Sequence, residues 1–437
     1  MKTNNSNSLV KKYLLSVALA SCVGMTTACV KETERIIEKE VPAKQSGTTQ
    51  NGVTEVIVSE KATADELALA AEQLAGPYTF MLSYKTASMA LEKDPKNLKA
   101  QFYYKLFKGF EAFRGYAERI QPMLKTPQQL AEHQKWINNF PNSPVKEFLT
   151  DKSKPVFNKV SDMQSAVGQY FEGLIEFRQF LKDNQAAQLE LYLNPHVFEN
   201  QLRQQLVNSC TYNEQPDGSY TVACKYDAVA SKKLNTADLI ALRQMVSGWA
   251  MYSFLNNYTA DGIELLDQKN PHKPMTNEER SQFLFSQAGF GKLRQGHTWS
   301  LLKDMGADLS SAIKWAQQYQ SSVCPKGENA KNQRPGYLFN DGICIDQGNQ
   351  APVARFLAVL DQALQGVTRM ELKTSNDQIV HMNVNAFAWS KNPIQDLRTV
   401  RPNHWNNCDQ AISLADNTLG GVFVDGDFNI LMNKQCN

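Results

Sequence analysis

Over most of residues 62 to 365, apolar positions recur every three to four residues, the period of helices with one buried face. Thr63-Ala64-Asp65-Glu66 has the spacing of a capping box and opens a helix carrying Leu67, Leu69, Ala70, Ala71 and Leu74, which Gly76-Pro77 ends. A second helix is predicted from Pro77 to Lys93, stopped at Asp94-Pro95 because proline disfavours helical geometry in the residue before it. The third runs from Asn97 to Lys125 and carries Phe102, Leu106, Phe107, Phe110, Phe113 and Ile120 on one broad face, which needs cover. Thr126-Pro127 opens the next, to Phe140. Pro141, Pro144 and Pro155 make 141–157 a loop. Helices follow over Ser161 to Asp183, over Ala186 to Val207 with a break near Asn194-Pro195, and from Asn235 or Thr236 to Tyr258. A second capping box, Thr276 to Glu279, leads into helices through Phe290 and Thr298 to Gln320, residues 321–350 read as a loop of Gly, Asn, Pro and Asp, and Pro352 to Leu364 completes the set.

In two places the period changes from helical to alternating. Residues 210–224 form two short alternating runs around Asp217-Gly218, the strongest short hairpin signal. Beyond residue 366, Thr368 to Lys373, Gln378 to Val384 and Gly421 to Met432 alternate and predict a small sheet. The expected fold is mainly α: an irregular or repeat-like helical bundle over 62–365 with the hairpin 210–224 inserted, and a small β-rich part over 366–437 packed on the helices.

The first 28 residues read differently. Lys11 and Lys12 precede an apolar run (Leu14, Leu15, Val17, Ala18, Leu19, Ala20) that ends in small residues and cysteine, the layout of a secretory signal. The run is shorter than the roughly 20 residues that span a bilayer. Leu19-Ala20-Ser21-Cys22 and Thr26-Thr27-Ala28-Cys29 both resemble the lipobox of bacterial lipoproteins, whose cysteine is acylated and becomes the N-terminus. Cys22 has the better local match, with an aliphatic residue three positions before it. Cys29 is preferred on two other grounds. Polar sequence begins immediately after it, and anchoring there leaves six of the eight cysteines to pair, whereas Cys22 leaves an odd thiol in an oxidising compartment. Residues 29–61, charged and then rich in Ser, Thr, Gly and Gln, are expected to be a flexible tether. In lipoprotein sorting, Asp directly after the acylated Cys implies inner-membrane retention. Val30 stands there, or Val23 after Cys22, which implies the periplasmic face of the outer membrane.

Ala90-Leu91-Glu92-Lys93-Asp94-Pro95-Lys96-Asn97 resembles the close of a tetratricopeptide repeat, where proline turns the chain into the next repeat. One period back gives 64–97, a helix pair. The next period, reached near Ala131, has no such string, and Leu67 and Ala71 stand where the first helix of the repeat carries Trp and Gly. The resemblance therefore implies one repeat-like hairpin.

Composition narrows the function classes. Charged residues make up 21% and aromatics 10%, ordinary for a globular body, and the net charge of +2 falls to −1 once Lys2, Lys11 and Lys12 leave with the signal. No clustered basic excess exists, so nucleic acid is not an expected partner. The six histidines (133, 196, 272, 297, 381, 404) contain no pair three or four apart, giving no support for zinc. Asp425-Gly426-Asp427-Phe428-Asn429 resembles the first half of a calcium loop, but Ile430 and Cys436 stand where it needs Gly and Glu, so a turn is expected. Ser300-x-x-Lys303 and Ser311-x-x-Lys314 match the spacing in penicillin-recognising enzymes, without the Lys-Thr-Gly and Ser-Asp-Asn those also need. No catalytic, cofactor or metal residue is assigned. Cys210, Cys224, Cys324, Cys344, Cys408 and Cys436 are expected as disulfides, paired in sequence order from fifteen possible connectivities because each pair brackets one local irregular or β segment. Trp389, His404 and Trp405, in loop-like context, are the candidate recognition surface. The expected function is a cell-envelope lipoprotein, not an enzyme, that acts as a protein-binding or scaffold module through its helical surface. The alternatives are an envelope hydrolase without local signature and a periplasmic binding component for a small apolar ligand.

Overall fold

A computed structural model of the chain describes residues 49–50, 53–76, 79–139, 144–184, 191–193, 210–216, 219–224, 232–233, 242–243, 246, 256–265, 275–294, 299, 301–323, 350–373, 379–401, 413–426 and 428. The signal segment with Cys22 and Cys29, most of the helix read up to Tyr258, most of the loop read over 321–350 with Cys324 and Cys344, and Cys408 and Cys436 lie outside the described residues; of the helix read over Ala186–Val207 only residues 191–193 are described, and there Tyr192–Leu193 is strand, not helix. The chain is mainly α and divides into two compact units at Leu239/Ile240, inside the stretch read from periodicity as one helical domain.

The first described elements are strands: β1 (Thr49–Gln50) and β2 (Val53–Val58) precede α1 (Ala64–Gln73), so these residues, read as part of the tether 29–61, are strand instead. Val56 and Val58 are buried, which is what selects strand for this Val-rich run. α1 starts where the capping box places it: Thr63 accepts from the Glu66 amide, and Glu66 returns the bond to the Thr63 amide at 2.8 Å. α2 (Phe80–Lys93) and α3 (Leu98–Lys108) follow, with Asn97 capping α3 through the Ala100 amide at 3.0 Å and also donating to Asp65 at 2.7 Å.

The long helix expected to reach Lys125 breaks at Gly109. A 3₁₀ turn, Gly109–Phe113, replaces it, followed by the short α4 (Tyr116–Arg119). The cause is packing on a distant element. α5 (Pro127–Asn139) and α6 (Pro144–Leu149) come first, the latter inside the segment read as a loop; then α7 (Val160–Asp183) crosses the turn at Gly173. A Cβ at Gly173 would stand 2.5 Å from the Gly109 Cα, and one at Gly109 would stand 2.7 Å from the Tyr170 carbonyl oxygen. The backbones touch, and only glycine permits it. Around this crossing Phe110, Phe113, Tyr116 and Tyr170 pack edge-on or tilted, ring centroids 5.2 to 6.0 Å apart.

β3 (Tyr192–Leu193), β4 (Cys210–Glu214), β5 (Tyr220–Cys224) and β6 (Lys232–Lys233) complete the described strands of this unit. The inserted hairpin is there, and it is more than a hairpin: β2 pairs with the other side of β5, giving the antiparallel order β1-β2-β5-β4. Its inner face (Val56, Val58, Tyr220, Val222) packs with Leu67, Ala68, Ala70, Leu74, Leu82, Ala90 and Ala100. Tyr220 hydrogen-bonds Thr86 and donates to the Leu82 carbonyl, satisfying a hydroxyl that burial would otherwise penalise.

In the second unit, α8 (Asn277–Ser286) starts at the expected box, Thr276 with Glu279. α9 (Leu301–Val323) and α10 (Gln350–Gln365) run antiparallel, Gly306 lying near Leu364 while Ser310 and Lys314 meet Asp361. β7 (Thr368–Lys373) and β8 (Ile379–Val384) form the expected C-terminal sheet. The third run joins it as a single bridge, Val384 to Phe423, with Val380, Met382, Met370 and Val422 in the same cluster.

Candidate functional site

Trp389, the described member of the predicted recognition surface, is half-buried. It meets Trp299 edge-on at 5.5 Å, beside Tyr258 and Ile394, and donates its indole N–H to the Leu419 carbonyl at 2.9 Å. Gly420 lies against that ring, its φ of +68° and the 2.5 Å that a Cβ would leave to Nε1 both requiring glycine. The Asp416 carboxylate closes the loop by accepting from the Thr418 and Gly420 amides at 3.0 and 2.7 Å. His404 and Trp405 lie outside the described residues. Of the Ser-x-x-Lys motifs, Ser300 lies outside the described residues and the other is described. Lys314 donates to Asp361 at 2.6 Å, and the serine that shares this carboxylate is Ser310, not Ser311. Asp425 accepts from Asn383 at 2.8 Å, and Gly426, with φ of +72°, makes the turn that was expected there.

A different face of the first unit carries half-buried aromatic and charged groups held in place. Tyr84 on α2 and Tyr104 on α3 stack with centroids 5.0 Å apart and planes 18° from parallel. Burial first, then the hydrogen bond to Tyr104 and the charge of Glu111, pushes the Tyr84 phenol well above its ordinary range, so it stays neutral at any physiological pH. Close enough for its charge to act on Tyr84, Arg114 forks onto Glu111 through Nε and Nη2, and its Nη1 reaches Asp151 at 3.0 Å. Its guanidinium lies over the Phe148 ring at 4.9 Å. These bonds, Glu111 first, hold the guanidinium charged and in one orientation. Gly115 supplies the bend that aims Arg114 here: its φ is +70° and its amide donates to the Phe148 carbonyl at 2.8 Å.

No family model, curated protein or solved structure matches this chain. The site is therefore read from its own chemistry. Two stacked rings beside an oriented arginine offer flat apolar area and a fixed charge at small ordering cost, the composition of protein-interface hot spots. Among the described residues no group of three His, Cys, Asp or Glu side chains is placed to hold a metal, and no helix is long and apolar enough to cross a membrane. In the same unit, buried Glu72 accepts from Lys99 at 2.9 Å and from the Tyr103 hydroxyl at 3.1 Å, tying α1 to α3. Sequence periodicity missed Tyr84 and Tyr104 because each lies outside the apolar stripe of its own helix. The helical spacing of Tyr104, Phe107 and Glu111 was the available signal.

Asp151 gives a pH test of the face. Bonds from Ser153, then from Arg114, lower its carboxyl to about 2. A folded value below the ordinary 3.8 contributes stability that is present above pH 4 and lost as pH falls from there toward 2. Asp151→Asn is expected to lower the unfolding midpoint of the full chain at neutral pH, with the gap from wild type closing across that window. A gap that stays constant down to pH 2 contradicts the assignment.

Proposed function

We propose that this chain is a lipid-anchored cell-envelope protein whose first unit binds a protein partner through the face of Tyr84, Tyr104 and Arg114. The observation that carries the reading is the half-buried tyrosine stack beside a guanidinium fixed by two carboxylates. The repeat-like α1–α2 hairpin, whose Asp94-Pro95 turn delivers α3 alongside α2, supports it, since that packing brings Tyr104 to Tyr84. The signal-like N-terminal stretch ending in Cys29 supports an exported protein held at a membrane by lipid, and Val30 directly after that cysteine supports the periplasmic face of an outer membrane.

Two experiments test this. Palmitate labelling of the full chain in bacteria is expected to disappear with Cys29→Ala and persist with Cys22→Ala; loss only with Cys22→Ala refutes the choice of anchor. Crosslinking in intact cells and purification from membranes is expected to recover one stoichiometric protein partner. A chain that emerges uncrosslinked under several conditions overturns the binding role.

A further inference from the structure

We infer that Cys210 and Cys224 form a cross-strand disulfide that fastens the edge strand β4 to β5, the strand on which β2 docks. The register pairs them directly, Cys210 opposite Cys224. The phase of the ladder follows from the turn: Gln215 donates its amide to the Ser219 carbonyl at 2.8 Å, which makes that opposed pair hydrogen-bonded. Antiparallel pairs alternate, so Glu214/Tyr220, Tyr212/Val222 and Cys210/Cys224 are all non-hydrogen-bonded pairs. In such pairs the Cα atoms stand about 4.5 Å apart, within the range of about 4.4 to 6.8 Å that a disulfide bridges. At position 224 the backbone N–H and C=O then point the other way, toward Thr54 of β2, its register partner on that side. Residue 224 is thus the point where three strands meet: held to β2 by backbone bonds and opposed to Cys210 on β4.

Chemically, the bond forms by thiol–disulfide exchange. One Cys thiolate attacks the disulfide of an envelope dithiol oxidant, and the second thiolate displaces that donor. Two electrons pass to the donor, which leaves as a dithiol, and both thiol protons are released or taken up by it. With this pair assigned, four downstream cysteines remain and the connectivities fall from fifteen to three.

The full chain, purified from the envelope without reductant, is alkylated, digested and mapped by mass. The expected result is one linked species containing both Cys210 and Cys224, lighter than the two thiol peptides by two hydrogens, which reduction separates. The Cys210→Ser/Cys224→Ser chain is expected to keep its helical circular dichroism and to unfold at a midpoint lower by roughly 5 °C or more. Recovery of both residues alkylated without reduction, or of either linked to a different cysteine, overturns the assignment. So does a double variant whose midpoint is unchanged by the substitutions and equal to that of the reduced wild type.

Discussion

Gly173→Val is expected to destabilise the first unit by about 3 kcal/mol, the upper end of the usual cost of overpacking. Two effects of opposite sign decide this. Replacing a glycine in mid-helix ordinarily gains up to about 1 kcal/mol in helix propensity, less for a β-branched residue. Against that, the new Cβ would stand 2.5 Å from the Gly109 Cα and 2.7 Å from its nitrogen. Both are backbone atoms and no rotamer change moves them, so α7 must shift away from the Gly109–Phe113 turn. The shift opens the contacts of Tyr170 with Phe110 and Phe113. Denaturant unfolding of the full chain, followed by a probe of the first unit, checks the sign. A midpoint equal to or above wild type means the crossing is not as close as described.

Gly115→Val is expected to cost as much or more, and to disturb the candidate site with it. A non-glycine residue at φ of +70° pays about 1 to 2 kcal/mol for the left-handed conformation alone, more when β-branched. The side chain would also start 2.2 Å from the Asp151 carbonyl oxygen, the backbone of the residue whose carboxylate holds Arg114. The strain thus acts on both residues of an ion pair in the proposed face. Unfolding midpoints and retention of partner crosslinking are the two readouts; a folded, fully crosslinking variant with an unshifted midpoint contradicts the role given to this bend.

How far the sequence reveals these features depends on where their causes lie. The caps at Thr63 and Thr276 were legible because the two halves of each box are only three residues apart. The hairpin of β4 and β5 was legible from alternation around one turn. β2 was not, because its partner is β5, far along the chain, and the polar residues before it resemble a tether. The break at Gly109 was hidden for the same reason: apolar periodicity continues through Phe110, Phe113 and Ile120, and the contact that breaks the helix comes from Gly173. Trp389 drew attention through its loop context, yet Trp299 and the Leu419 carbonyl account for its ring and its N–H. Tyr84 and Tyr104 were passed over because their meaning is a meeting of two helices.

The binding face is tested most directly by titrating the partner recovered by crosslinking against wild type and the Tyr84→Ala/Tyr104→Ala chain, with unfolding midpoints measured on both. Loss of the tyrosine stack is expected to weaken binding by about 2 kcal/mol, or about 30-fold, while the midpoint shows the variant folded. A folded variant that binds with wild-type affinity contradicts the assignment of this face.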